Sequence, residues 1–306
     1  MKKFLELLFL QQLKGVGKAL INKKYIDALQ TVDGLEACIE IVRNINPDFD
    51  NDVIQRAMSV AKKKFETIMG YSDIHVITVF DEEYPKRLFN LKNKKPVILY
   101  VKGNLEILNK NSISVIGTRA PSPLTYEVAP PFVKEVVKAG YVVVSGLALG
   151  CDTIGHESAL CNKGLTIAVL PSGIHNIYPE ANKQLAEGIV KSDGCLISEY
   201  EPESKAISYT FVERDAVIAA LSKATFVLEC GTKSGTMKTV EAAEKLNRKI
   251  ACYYSKRKIK EGFEGNTYIL NDKVSYKVAN KKDLRSFLAL VDAEEEAEVP
   301  VQIKLL

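Results

Sequence analysis

Arg119, Arg214, Lys233 and Lys238 lie in or just after short polar or glycine-bearing segments that end apolar runs. These segments are Ile116-Gly117-Thr118-Arg119, Ser145-Gly146, Pro171-Ser172-Gly173, Ser198-Glu199 and Glu229-Cys230-Gly231. Guanidinium and ammonium groups beside glycine turns and helix N-termini suit phosphate oxygens, because backbone N–H donors, the helix dipole and fixed charge act in the same direction. Acids in the same neighbourhood are few, chiefly Asp152, Glu199, Glu213, Asp215 and Glu229. A phosphate-bearing ligand is expected, contacted by Gly117, Thr118, Arg119, Ser145, Gly146, Arg214, Lys233, Ser234, Gly235, Thr236 and Lys238.

Other arrangements leave alternatives open. Asp152 and His156 share a helix face, so they fit an acid–base dyad or a structural pair that locks a glycine turn to its helix, with Asp152 also placed to cap that helix. Phe211-Val212-Glu213-Arg214-Asp215 reads as a helix start, where an arginine opposes the dipole unless Glu213, Asp215 or a ligand phosphate compensates it. The loop Gly231 to Thr239 opens another helix but is not a P-loop, and no G-x-G-x-x-G follows a strand, so no dinucleotide cofactor is expected. Its glycines also fit a purely packing role. In Leu13-Lys14-Gly15-Val16-Gly17-Lys18, a glycine hairpin joins two helices; Gly15, Gly17 and Lys18 either present donors to a phosphate or cap packed helices.

These side chains need a scaffold, and the apolar runs specify one. Val- and Ile-rich runs alternating with helical periods predict βαβ units, a parallel sheet, and ligands gathered beyond the strands' carboxyl ends. Strands are predicted at about 113–117, 141–145, 166–170, 195–198, 224–229 and 249–253, preceded by strands within 74–79 and 96–103. Residues 1–72 read as a small helical domain with the glycine hairpin, 73–280 as the α/β domain, and 281–306 as a C-terminal helix with an acidic tail at Glu294 to Glu298. Lys256 to Lys260 reads as a basic loop, and 274–290 as a last short strand and helix.

Composition excludes several classes. The chain has 306 residues and a net charge of +4, too small by itself to prove nucleic-acid binding. No opening segment approaches a membrane span or carries a cleavage site, so a soluble cytoplasmic protein is expected. The six cysteines, at 38, 151, 161, 195, 230 and 252, form no C-x-x-C pair. They read as buried reduced thiols, and neither a metal site nor a cofactor is expected.

From Tyr84 to Ser255 the chain resembles the DNA-processing protein A (DprA/Smf) family, whose extended Rossmann domain belongs to a wider group that includes the cytokinin-activating phosphoribohydrolases. The resemblance rests on Tyr84-Pro85 followed by Pro96-Val97-Ile98-Leu99-Tyr100 and Lys102-Gly103-Asn104, then Val115-Ile116-Gly117-Thr118-Arg119, then Ser145-Gly146-Leu147-Ala148 with Gly150, Asp152 and His156. It continues through Tyr178-Pro179 and Asn182, Ile197-Ser198-Glu199-Tyr200, Phe211 with Arg214, and Ser234-Gly235-Thr236 with Thr239. The N-terminal helices resemble the family's sterile-alpha-motif-like domain.

The resemblance implies single-stranded DNA binding in a basic pocket, a homodimer formed through the Rossmann domain, and loading of a RecA recombinase during natural transformation. By motif, Arg119 and Arg214 would contact phosphate; Lys233 and Lys238 are added on position and charge. Arg119→Ala and Arg214→Ala are each expected to weaken DNA binding without unfolding the protein. The chain departs from the family in having Arg214-Asp215-Ala216 where Arg-Asn-Arg is usual, His175 where an acid is common, and no C-terminal winged helix. The alternative is a free-nucleotide sensor or nucleotide hydrolase, serving mobile-element or defence biology. The phosphoribohydrolase glutamate is replaced by Thr239, which disfavours hydrolysis.

Overall fold

The computed structural model describes residues 1–255 and 262–298. Among these, nine strands form one sheet: β1 His75–Thr78, β2 Ile98–Gly103, β3 Ser112–Ile116, β4 Val142–Ser145, β5 Thr166–Val169, β6 Cys195–Ser198, β7 Ala224–Val227, β8 Lys249–Tyr253 and β9 Tyr276–Val278. Their order is β1-β2-β6-β5-β4-β3-β7-β8-β9. β3 to β9 pair in parallel, and β1 and β2 extend the sheet antiparallel beyond β6. The chain runs outward from β3 to β6, then returns to place β7 on the other side of β3. That reversal opens the crevice in which ligands of such sheets bind.

Both faces of the parallel strands are covered, which is why their sequences are continuous apolar runs. Val115, Val143 and Phe226 pack with Phe132, Val136 and Phe287 on one face. Val144, Ile167 and Ile250 belong to the opposite core, with Val217, Ile218 and Val240. Neighbouring residues in one strand therefore go to different layers, as the pleat requires.

The N-terminal helices close onto the extended end of the sheet. The helix Asn51–Met69 is capped by Asp50, whose side chain accepts from Val53 N at 2.7 Å. Phe4, in the helix Phe4–Gln12, meets Tyr100 of β2 edge-on at 6.4 Å. The hairpin turns at Gly15, whose φ of 83° lies in the left-handed region open to glycine.

Several expectations change. The helix carrying Arg214 spans Ser208–Leu221, so Arg214 lies about two turns inside it and the opposition to the dipole that a helix start would create does not arise. Asp152 does not cap the helix Cys151–Cys161; Gly150 takes the N-cap position. The helix Lys281–Glu298 takes in Glu294 to Glu298, the run read from sequence as an acidic tail. Cys161 is exposed at the end of its helix, whereas the other five cysteines are buried. A helix at Glu264–Asp272 was not foreseen. The basic loop Lys256 to Lys260 lies outside the described residues.

Candidate nucleic-acid interface

The segment after β3 is threaded between two neighbouring loops. Thr118 N donates to Glu229 O at 2.7 Å, and Thr118 O accepts from Cys151 N at 3.0 Å. A Cβ on Gly117 would lie 2.4 Å from Cys151 Sγ and 2.8 Å from Glu229 O, so only glycine lets the three loops meet. This threading delivers Arg119 to the surface, where its guanidinium carbon sits 5.4 Å from the centre of the Phe211 ring. Tyr178, 45% exposed, packs edge-on against Phe211 at 5.5 Å. Cation–π contact and edge-on packing hold these three groups as one surface.

The same groups rim a small cleft whose lining also includes Gly146, Leu149, Pro171 and Arg214. Its cavity volume of about 50 Å³ is well below the roughly 300–1,000 Å³ typical of small-molecule pockets. It therefore has room for a phosphate-sized group and not for an enclosed nucleotide or dinucleotide.

Arg214 forms the floor and is only 5% exposed. Its Nη1 lies so near Gly146 that a Cβ there would come within 1.4 Å of it. Nη1 also reaches Val169 O at 3.4 Å and Asp152 Oδ2 at 4.0 Å. Nε is 3.1 Å from Asp215 Oδ1, an ion pair in which the N–H is not aligned for a hydrogen bond. The guanidinium thus faces two carboxylates, while its buried Nε–H has no hydrogen-bond partner.

Asp152 braces the β4 turn, accepting from Gly146 N at 3.1 Å and Ala148 N at 3.3 Å. Burial pushes its carboxyl above the usual range, opposed by Arg214. Leu147 occupies that turn at φ 59°, its carbonyl held by Asn182 Nδ2 at 2.8 Å. Such left-handed backbone at a non-glycine persists where surrounding bonds over-determine it.

His156 does not pair with Asp152. Its Nδ1 meets Thr166 Oγ1 at 2.7 Å, and because that hydroxyl donates to Val143 O, the imidazole is the donor. Burial, aided by Arg214, lowers its pKa to about 3, so it is neutral at physiological pH. Neither the acid–base dyad nor a structural Asp152–His156 pair forms: Asp152 alone holds the glycine turn, and His156 ties its helix to β5.

The remaining expected residues divide by location. Ser145 is fully buried and donates to Val115 O at 2.7 Å, tying β4 to β3. Ser234 Oγ accepts from Thr236 N at 3.2 Å and meets Thr236 Oγ1 at 2.9 Å, ordering the loop at Gly235 that opens the helix Thr236–Lys245. Lys233 is exposed there, and Lys238 pairs with Glu241 at 3.2 Å. None of Lys233, Ser234, Gly235, Thr236 and Lys238 lines the cleft.

Lys18 is engaged elsewhere than at a phosphate. Its Nζ lies 2.7 Å from Glu199 and 2.9 Å from Glu213, bridging the glycine hairpin to the end of β6 and to the helix that carries Phe211. Tyr200 completes the cluster by donating to Glu213 at 2.8 Å. Burial pushes the Glu199 carboxyl up, and Lys18 opposes it. Lys18→Met is expected to cost about 1–2 kcal/mol, because it strands Glu199 in a dry site while Glu213 stays partly solvated. The loss should be largest at neutral pH and ease as falling pH protonates Glu199, which denaturant titrations at pH 5 and 7.5 would test.

Strand-end acids also prove structural: Glu229 accepts from Ser122 N and Oγ, both at 2.9 Å, and from Thr125 Oγ1, anchoring the helix Pro123–Lys138. The aromatic part of the site, Tyr178 and Phe211, was missed as a binding surface. Each stood out only within a motif, and nothing in linear spacing brings them together.

Residues 75–289 match the family model for DNA recombination-mediator protein A. The chain is 34% identical over 178 residues to DNA processing protein DprA of Bacillus subtilis, covering 58% of this chain and 59% of that protein. It is 36% identical over 247 residues to Protein Smf of Synechocystis, covering 78% and 61%. It thus spans less than two thirds of the length of either curated relative. The X-ray structure of DNA processing protein A from Streptococcus pneumoniae superposes with a TM-score of 0.76 and 26% identity, covering 94% of this chain and 98% of that one. The protein from Helicobacter pylori, solved in work on its single-stranded DNA binding mode, superposes with a TM-score of 0.63 and 28% identity over 70% of this chain and 96% of that one. A cleft at the strand ends, the motifs that build it and a match across most of the sheet converge, and the chain belongs to the DNA recombination-mediator protein A family.

Proposed function

We propose that the cleft above Gly146 binds the backbone of single-stranded DNA in the cytoplasm, and that the protein acts as a homodimer handing the strand to a RecA-type recombinase. The observation that carries the reading is the exposed Arg119 guanidinium placed 5.4 Å over the Phe211 ring beside Tyr178. A cation for phosphate next to aromatic faces for unstacked bases is the combination that single strands require, and a duplex keeps those faces hidden. Family membership supports the dimer and the recombinase, and the exposed Ile207, Tyr209 and Val212 provide apolar surface beside the cleft for a protein contact.

The cleft offers electrostatics and stacking rather than proton transfer. His156 is buried and neutral, and Asp152 is held by backbone donors. Fluorescence anisotropy with a labelled oligo-dT strand and a matched duplex, titrated over salt, tests the proposal. The expected result is preference for the single strand, with a log–log salt slope of about −0.7 per phosphate contacted. Absence of binding at low salt would overturn it and favour a free nucleotide as ligand.

A further inference from the structure

Behind the cleft wall, two carboxylates face one guanidinium. Asp215 lies against Arg214 Nε at 3.1 Å, and Asp152 approaches Nη1 at 4.0 Å from the helix Cys151–Cys161. The Asp215 side chain is only 15% exposed, so water screens these charges weakly. Arg119, from the loop after β3, is the remaining charge acting on Asp215. With both aspartates ionised, this group of four sums to zero, and the cleft presents a phosphate with little net attraction.

We propose that Asp215 is a positioning residue that sets the affinity of the cleft for a DNA phosphate: its carboxylate neutralises Arg214, and protonating or removing that charge strengthens binding. The inference rests on the single-stranded DNA reading. It acts through Arg214, which forms the floor of the cleft and lies 3.1 Å from Asp215, so the Asp215 charge offsets the field that this guanidinium presents to a phosphate above it. Losing the carboxylate charge leaves one net positive charge beside the cleft.

The pH window follows from the geometry. Burial, with Asp152 adding to it and Arg214 and Arg119 opposing, pushes Asp215 up to about 6. Above that pH the carboxylate is charged and competes with the phosphate; below it, the competition is relieved. Binding should therefore tighten as pH falls from 7.5 to 5.5.

The test is oligo-dT binding by the wild-type chain and by Asp215→Asn at pH 5.5, 6.5 and 7.5 and constant ionic strength. The wild type is expected to gain roughly tenfold in affinity on acidification, the effect of one charge at about 10 Å in a partly dry site. Asp215→Asn should bind at pH 7.5 as the wild type does at 5.5, with a nearly flat profile. Its melting temperature at pH 7.5 should equal or exceed that of the wild type, since an acid raised by burial destabilises the fold above its own pKa. Binding by both proteins with the same affinity and profile would overturn the role of Asp215 and leave the DNA reading intact. Failure of both to bind at low salt would overturn the DNA reading, and this inference with it.

Discussion

Arg214→Ala should destabilise the folded protein by about 3–5 kcal/mol, the cost typical of removing one partner from a buried ion pair. The guanidinium is the cation between Asp152 and Asp215, and all three side chains are largely out of water. Its loss strands two like charges in a dry site and empties the space over Gly146 that only a glycine allows it to fill. A melting temperature lowered by roughly 5–10 °C is expected at pH 7.5. The sign of the pH dependence is fixed by the same geometry. Without Arg214 both carboxyls rise further, so they protonate sooner and the deficit shrinks as pH falls toward 5. Thermal melts at the two pH values check this, and an unchanged melting temperature at pH 7.5 would contradict the structural role. To the expectation drawn from sequence, that this substitution weakens DNA binding without unfolding the protein, the burial of Arg214 adds a stability cost.

Arg119→Ala should do the reverse. Arg119 is exposed, and among the described residues it has no carboxylate within ion-pairing distance, so its removal should leave the melting temperature within about 1 °C. Single-stranded DNA affinity should fall about 30- to 100-fold, the worth of one charge-assisted phosphate contact together with the ring it holds. The magnitude of the log–log salt slope should drop by about 0.7, because one phosphate contact is lost. Arg119→Lys should recover the slope but only part of the affinity, since an ammonium keeps the charge but not the guanidinium's contact with the Phe211 ring. Undiminished affinity in Arg119→Ala at several salt concentrations would remove this residue from the interface.

Most of the fold was legible because its signals are local. Runs such as Ile113 to Ile116 and Val142 to Val144 are too apolar for a strand with a wet face, so a parallel sheet covered on both sides follows from composition and spacing. Strand ends punctuated by Gly117, Gly146 and Gly231 located the edge at which a ligand would gather. The motifs in the same order identified the family, and residues 75–289 bear that out.

What linear order could not convey was which charges are already spent. Lys18 and Glu199 are far apart in sequence, yet their side chains meet at 2.7 Å when the hairpin closes on the sheet. Arg214 and Arg119 read alike as strand-end cations, but one is the buried floor of the cleft and the other its free rim. Phe211 and Tyr178 become a single aromatic surface through the packing of a loop against the helix Ser208–Leu221. Sequence alone determined the sheet, the edge that carries the site and the family, because periodicity, glycine placement and motif order act over a few residues at a time. Only the tertiary structure decided which cations remain free for a ligand, because burial and ion pairing depend on the distance and solvent between groups that the chain itself holds far apart.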